Sequence, residues 1–241
     1  MGTLDTGLVL LVMAVSALIQ SSLGIGFAMF AAAALSFFVD PVTSAALVSV
    51  AVTALGIDLS LRMRKSIRYR IAVPPLISMM CGKIAGVVTL MHVDGDTVRW
   101  GLGVTLILFS AYFCFLSGKV KIRPSPAKGF VLGLLAGFLG GIYNLTGPFA
   151  AIYFYSATED KYEYSASMNF AFLPSAVVGL IAHIAYGNLY RGMLPVYVLS
   201  CAAVVVGVGV GLRLLAGINR KQLSTCLYIF MAVMGCVILL Q

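Results

Sequence analysis

The chain has 241 residues, of which 61% are apolar and only 10% are charged. Soluble domains usually carry about 45–50% apolar and about 25% charged residues, so this composition excludes a water-facing globule. The net charge of +8 lies in short clusters between apolar runs. Such clusters are typical of membrane topology signals rather than of nucleic-acid binding. The sequence therefore predicts an all-α polytopic membrane protein.

Eight apolar segments follow one another along the chain in two sets of four. They cover about 7–39, 42–61, 71–92 and 97–117, and then about 129–157, 164–187, 193–216 and 223–240. The pattern predicts one transmembrane domain over residues 1–241, built from internal repeats at about 5–118 and 127–241. A basic, proline-containing cytoplasmic linker at 119–128 joins the repeats. Two-fold repeats are the usual architecture of secondary transporters, so the domain is predicted to carry out transport.

The first segment of each set is too long for one perpendicular span and is broken midway by small and polar residues. Each is either one long broken span or a re-entrant hairpin that enters and leaves on the same face. Hairpins would place twelve of the sixteen Lys and Arg residues on the cytoplasmic side, whereas plain spans would place ten there. The charge distribution therefore favours hairpins, inverted halves and both termini outside.

The two breaks predict an anion-binding site at the midplane of the membrane. Irregular backbone at this depth must be buried in protein or line a wet cavity, and half-helix N-termini attract anions. The alternative is that the small residues only allow close helix packing. The candidate substrate-binding residues are Gln20, Ser21, Ser22, Gly24 and Gly26 from the first break, Gly141, Tyr143, Asn144, Thr146 and Gly147 from the second, Ser49 and Asn169 at equivalent positions 120 residues apart, and Lys83.

Lys83 is a basic residue near the middle of an apolar segment, so its charge needs a partner. Its ammonium either attracts the anion or has a structural role, bound to backbone carbonyls or paired with a carboxylate such as Asp58. Asp58 also lies four residues before Arg62, which is the spacing of a helical salt bridge. Both roles of Lys83 stay open at this point.

Motifs for cofactor or metal chemistry are missing from the sequence. It has no P-loop, no HExxH and no GxSxG elbow, and its five cysteines show no paired spacing. We therefore expect no cofactor, no metal, no nucleic-acid partner and no enzyme activity. The leading hypothesis is a secondary anion transporter. The alternatives are an anion channel and, less favoured, an intramembrane enzyme that uses Ser21 or Ser22.

Three features together resemble the sulfite exporter TauE/SafE family over nearly the whole chain. They are the Gly- and Ser-rich first break before Asp40-Pro41, the Gly147-Pro148 break of the second half, and the glycine-spaced third segments of both halves. The resemblance implies a multi-pass permease of the inner (plasma) membrane. Its substrates would be small sulfur-containing anions such as sulfite or organosulfonates like sulfoacetate, moved in the export direction. The implied partners are this anionic substrate and membrane lipid, with a homodimer left open.

Overall fold

The computed structural model describes residues 3–37, 39–115, 122–214 and 220–240, and these ranges are almost entirely helical. The α-helices are α1 (Thr3–Leu23), α2 (Phe27–Leu35), α3 (Pro41–Arg62), α4 (Tyr69–His92), α5 (Gly95–Phe115), α6 (Pro126–Tyr143), α7 (Gly147–Ala157), α8 (Lys161–Ala185), α9 (Leu194–Leu214) and α10 (Arg220–Leu239). Within the described residues, seven helices are long and apolar enough to cross a membrane. The prediction of an all-α polytopic membrane protein is confirmed. Residues 119–121 of the predicted linker lie outside the described ranges.

Two of the eight predicted segments are each split into two helices, and the split has a local cause. Gly24 and Gly26 have φ angles of 85° and 121° and separate α1 from α2. Asn144 has a φ of 59° and ends α6 before α7 begins. Glycine reaches these angles without a steric cost, and Asn tolerates the left-handed region better than other residues. The prediction of a broken helix at the start of each half is confirmed.

The second broken helix is a hairpin whose two ends lie at one end of the bundle. We call this end the basic face, because it carries the basic loop at 62–70. Arg68 of this loop pairs with Glu163 at the start of α8, with 2.7 Å between Nη2 and Oε1. The backbone N–H of Ile122, before α6, donates to Ser156 Oγ near the end of α7 over 3.1 Å. The chain therefore enters through α6 and returns through α7 on the basic face.

The first broken helix opens on the other end of the bundle, here called the opposite face. This face carries the turn between α4 and α5, and Pro41 at the start of α3 packs beside Gly95 of that turn. Asn188, which follows α8, donates to Met91 Sδ at the end of α4 over 3.2 Å, so α9 also begins here. Since Ala14 of α1 packs on Gly207 of α9 in a parallel arrangement, α1 starts at this face and α2 returns to it. Hairpins that open on different faces are compatible with inverted halves.

A close contact between α4 and α6 brings the break of the second half within reach of Lys83. A Cβ at Gly86 of α4 would lie 2.7 Å from the Cα of Gly141 of α6, so only glycines fit at this crossing. Small residues let helix backbones approach in a membrane, where lipid gives helices little hydrophobic reason to associate. Lys83 lies one turn before Gly86 and consequently reaches the C-terminal end of α6.

Candidate anion-binding site

The first break is held in shape by the side chain of Gln20. Its Nε2 donates to the carbonyl of Gly24 over 2.9 Å, and its Oε1 accepts from the N–H of Phe27 over 3.1 Å. Gln20 is only 4% exposed, so these bonds replace the water that the irregular backbone would otherwise need. The amide thus spans the gap between α1 and α2 and fixes the N-terminus of α2.

The second break is held by Asn144, which is 5% exposed. Its backbone N–H donates to Gly140 O and that of Leu145 donates to Leu139 O, as in a Schellman helix end. The side-chain Nδ2 donates to Ala45 O of α3 over 2.9 Å, and Oδ1 accepts from the hydroxyl of Ser49 over 3.3 Å. Asn144 is therefore both the cap of α6 and the point at which α3 holds the break.

Lys83 is buried, with 3% of its surface exposed, and its ammonium binds the end of α6. Nζ donates to Gly140 O over 2.5 Å and to Asn144 Oδ1 over 2.6 Å. A cation at the C-terminus of a helix is favourable because the carbonyl dipoles point toward it. Asp58 is not its partner: that carboxylate binds Arg62 Nε over 2.7 Å, which confirms the predicted helical salt bridge. Among the described residues no carboxylate neutralises the ammonium of Lys83.

The two breaks meet around a central cavity of about 40 Å³. The Cβ position of Gly147 in the second break is 3.8 Å from Ile25 Cβ in the first. The first residues of α2 and α7 both line the cavity, so the N-termini of two short helices share one space. Its lining residues are Gln20, Gly26, Phe27, Ala28, Met29, Val52, Leu55, Lys83, Asn144, Leu145, Thr146, Gly147, Phe172 and Ala176.

The cavity is large enough for a few water molecules or a small ion, since one water needs about 10–15 Å³. One wall is apolar, formed by side chains such as Val52, Leu55 and Phe172. The other wall offers the ammonium of Lys83, the hydroxyl of Thr146 and the backbone at the N-termini of α2 and α7. This donor-rich wall suits a small oxyanion, because an oxyanion accepts hydrogen bonds from several directions at once.

Two residues that lie 120 positions apart in the chain close the breaks from the side, each acting on the other half of the chain. Ser49 of the first half bonds Asn144 of the second half. Asn169, which lies 120 residues after Ser49, accepts from Gln20 Nε2 of the first half over 2.9 Å. Asn169 also donates to Ser165 O over 2.7 Å, and Ser165 lies 120 residues after Ala45. We call the Asn144–Ser49–Ala45 set the outer cluster and the Gln20–Asn169–Ser165 set the inner cluster.

A further cavity lies beyond each cluster. The outer cavity, of about 30 Å³, opens toward the opposite face and includes Asn144, Tyr143 and Arg99 in its lining. The inner cavity, of about 270 Å³, lies at the basic face, and its lining includes Gly24 and Ser165. Since Asn144 also lines the central cavity and Gln20 adjoins Ser21 of the inner one, the three cavities follow one another across the bundle.

Six of the predicted site residues line the central cavity and seven lie elsewhere. Ser49 and Asn169 are one layer out, in the outer and inner clusters. Ser21 and Ser22 bond backbone carbonyls of α1 and α9 and, with Gly24, line the inner cavity. Gly141 is at the contact with α4, and Tyr143 lines the outer cavity. The residues in the central cavity are Gln20, Gly26, Lys83, Asn144, Thr146 and Gly147.

Several lining residues are not among the candidates that the sequence suggests. Phe27, Ala28 and Met29 contribute the first turn of α2, and Val52 and Phe172 form part of the apolar wall. The 120-residue offset could have identified Val52 and Phe172, because these two residues are 120 positions apart, as Ser49 and Asn169 are. Val52 lies one helical turn after Ser49, and Phe172 lies one helical turn after Asn169. In the sequence, Arg99 contributes only to the charge distribution that predicts topology. No sequence pattern predicts its place in the outer cavity.

The comparison with protein-family models gives a match to most of the chain. The model described as "Sulfite exporter TauE/SafE" matches residues 8–238, which is nearly the whole chain. No curated protein and no solved structure matches the chain. The match covers both breaks, both clusters and Lys83. The chain is a multi-pass membrane protein that belongs to the sulfite exporter TauE/SafE family.

Proposed function

We propose that the protein is a secondary transporter that exports small sulfur-containing anions, such as sulfite or organosulfonates resembling sulfoacetate. The observation that carries this proposal is the buried ammonium of Lys83. It lines a cavity and has no carboxylate partner among the described residues. An isolated charge at membrane depth is costly, so a bound anion would be strongly favoured there. Family membership supports transport of a sulfur-containing anion.

In the proposed complex the anion lies between the two breaks. Lys83 has three donors and spends two of them on Gly140 and Asn144, which leaves one for a ligand. The hydroxyl of Thr146 and the N–H groups of Ala28 and Gly147, in the first turns of α2 and α7, supply neutral donors. The cavity of about 40 Å³ would have to widen for an organosulfonate, whose carbon chain would then face the apolar wall. Gln20, Ser49 and Asn169 hold the breaks in position.

We propose that the outer and inner clusters open alternately. Each cluster joins a break of one half to a long helix of the other half, so a relative movement of the halves would open one and close the other. Both clusters are bonded in this structure, and the central cavity lies between them. A channel would need both clusters open at the same time, whereas both are bonded here. An intramembrane enzyme would use Ser21 or Ser22, but their hydroxyls are bound to backbone carbonyls.

The basic face is assigned to the cytoplasm of the inner membrane by the positive-inside rule. The described basic residues Arg62, Arg64, Lys65, Arg68 and Arg70 all belong to the loop at that face or its edges. In this orientation the inner cavity, the largest of the three, faces the cytoplasm. Export would then begin with entry of the anion past Ser21, Gly24 and Ser165.

Flux in liposomes tests the proposal directly. Purified protein in vesicles loaded with sulfite should release it with saturable kinetics and without chemical conversion, whereas chloride and acetate should be released slowly. A linear, non-saturating flux would instead identify a channel, and conversion of the anion would identify an enzyme. A complementary measurement is the melting temperature of the purified protein. Sulfite and sulfoacetate should raise it more than equal ionic strengths of chloride or acetate.

A further inference from the structure

Arg99 lines the outer cavity, and part of its guanidinium has no hydrogen-bond partner among the described residues. The residue is in the first turns of α5, near the opposite face, and lines the cavity together with Asn144 and Tyr143. Its Nε is buried and forms no hydrogen bond to any described residue. Asp96 lies one turn earlier on the same helix, but no ion pair joins it to Arg99. This buried N–H is shielded from water and has no compensating hydrogen bond to the described part of the chain.

The orientation of the protein does not account for this charge. Basic residues that set topology are on the cytoplasmic side, and the opposite face has only Arg99 and Arg191 among its described Lys and Arg residues. Arg191 is exposed and lies outside the three cavities. Arg99, in contrast, lines a cavity that shares Asn144 with the central one, and its guanidinium carries a planar set of N–H donors. Guanidinium groups bind oxyanions through two parallel hydrogen bonds, and Nε–H is one of the donors in that geometry.

We propose that the outer cavity is a second anion-binding site, in which Arg99 holds a small oxyanion on its way to or from the central cavity. This inference rests on the proposed transport function and adds a waiting position to it. Asn144 lies between the two positions, so an anion at Arg99 is one cluster away from Lys83. Arg99 also lines an open surface groove with Asp96 and Trp100. A lipid phosphate entering by that groove would present the same oxyanion chemistry, and separate arms of the experiment distinguish the two sources.

The chain contains a built-in probe for this site, because its single tryptophan is Trp100. Trp100 follows Arg99 directly and is 61% exposed. Iodide, an anionic quencher of tryptophan fluorescence, should be concentrated by Arg99, whereas the neutral quencher acrylamide should not. In nonionic detergent, added sulfite should saturably reduce quenching by iodide and leave quenching by acrylamide unchanged. The Arg99→Gln variant should lose this competition, and Arg99→Lys should retain part of it.

Matched variants keep the test decisive. Arg191→Gln removes the other cation of this face and should behave as the wild type. Melting temperatures show whether each variant is folded. If Arg99→Gln is not folded, Arg99→Lys replaces it in the comparison with the wild type. Sulfite competition in folded Arg99→Gln equal to that in the wild type would overturn the second site.

Two further results distinguish the remaining possibilities. If the wild type shows no sulfite flux and no thermal stabilisation by sulfite, the proposed function fails, whatever Trp100 reports. If flux is intact but the competition is absent or independent of Arg99, only the second site fails. The lipid source is tested in nanodiscs of phosphatidylcholine with and without phosphatidylglycerol. Suppression of iodide quenching by the anionic lipid but not by free sulfite would assign Arg99 to a lipid phosphate and overturn the proposal.

Discussion

Gln20 and Asn169 belong to different halves of the chain, yet the amide of one donates to the amide of the other over 2.9 Å. The bond ties the first break to α8 in the same way that the bond from Ser49 to Asn144 ties the second break to α3. Each half therefore supplies the element that holds the irregular backbone of its counterpart. A relative movement of the halves must act on both bonds.

Transport should require the inner cluster to open. Replacing Gln20 and Asn169 together by cysteine, in a background without the five native cysteines, allows a short bifunctional methanethiosulfonate reagent to join the halves through two reducible disulfides. We expect cross-linking to stop sulfite flux and a reductant to restore it, because the break and α8 can no longer separate. The single variants Gln20→Cys and Asn169→Cys serve as controls. Full flux in a protein shown to be cross-linked would exclude opening at this cluster.

Lys83→Met should lower the affinity for sulfite and also the melting temperature. The attraction between unit charges 4 Å apart is about 4 kcal/mol at an effective dielectric constant near 20, before desolvation is subtracted. Gly140 O and Asn144 Oδ1 also lose a charged donor. Lys83→Arg should recover only part of both, because the guanidinium is larger and holds its donors in a rigid fork. Binding titrations and melting curves on the two variants provide the check. Wild-type affinity with a lowered melting temperature would leave Lys83 a purely structural role.

Asn144→Ala and Thr146→Ala should both weaken sulfite binding by about 1–3 kcal/mol. The reason is that each replacement either removes a hydrogen-bond donor to the buried anion or shifts a neighbouring donor away from it. They should differ in stability. Asn144 bonds Ala45, Ser49 and Lys83 and adopts a left-handed backbone, so its replacement should lower the melting temperature markedly. Thr146 makes no side-chain capping bond at α7, so its replacement should change the melting temperature little. Thr89→Ala, on the exposed side of α4, is the matched control. Unchanged affinity in both site variants would show that the anion binds elsewhere.

The hairpin topology gives a sharp labelling pattern. In a cysteine-free background, Ser66→Cys and Glu159→Cys should react with a membrane-impermeant thiol reagent from the same side, the cytoplasm. Gly192→Cys should react only from the other side. Ser66 and Glu159 lie at the basic face, and Gly192 lies at the opposite face. With plain spans the pattern changes, since position 192 would then share the side of position 66 and position 159 would not.

The glycine contact between α4 and α6 should tolerate no larger residue. Gly86→Ala places a methyl group against the Cα of Gly141, and overpacking of this kind typically costs about 1–3 kcal/mol. We expect a lower melting temperature and, because Lys83 would move away from α6, a weaker response to sulfite. Gly209→Ala in α9 is the control, because a Cβ there would meet no atom within 4 Å. Equal melting temperatures for the two variants would show that the crossing can adjust.

The sequence predicts the helices and the breaks well because both are local properties. Runs of apolar residues define α3, α4 and α5, and the left-handed backbone at Gly24, Gly26 and Asn144 requires the residue types found there. The charge distribution favours hairpins for a physical reason that needs no tertiary information. Short stretches of the chain therefore determine these features without help from the packing of distant residues.

The direction in which a side chain points could not be predicted in the same way. Gln20 and Ser21 are neighbours, but successive residues of a helix are about 100° apart, so Gln20 reaches the central cavity while Ser21 turns toward α9. The partner of Lys83 depends on how closely α4 and α6 approach. Arg99 is separated by more than 40 positions from Asn144, and only the packing of α5 places both in one cavity.

The hydrogen bond from Lys83 to Asn144 has a consequence for the timing of transport. Asn144 Oδ1 accepts from both Lys83 and Ser49, so the ammonium contributes to closure of the outer cluster. An anion that draws Nζ toward itself competes with Asn144 for the same charge. Occupancy of the central cavity would thereby weaken the outer cluster and leave the inner one, whose bonds involve no charged group, unaffected. Val208, which lies 125 residues after Lys83 in the predicted repeat, carries no charge, so the anion would be released preferentially toward one side.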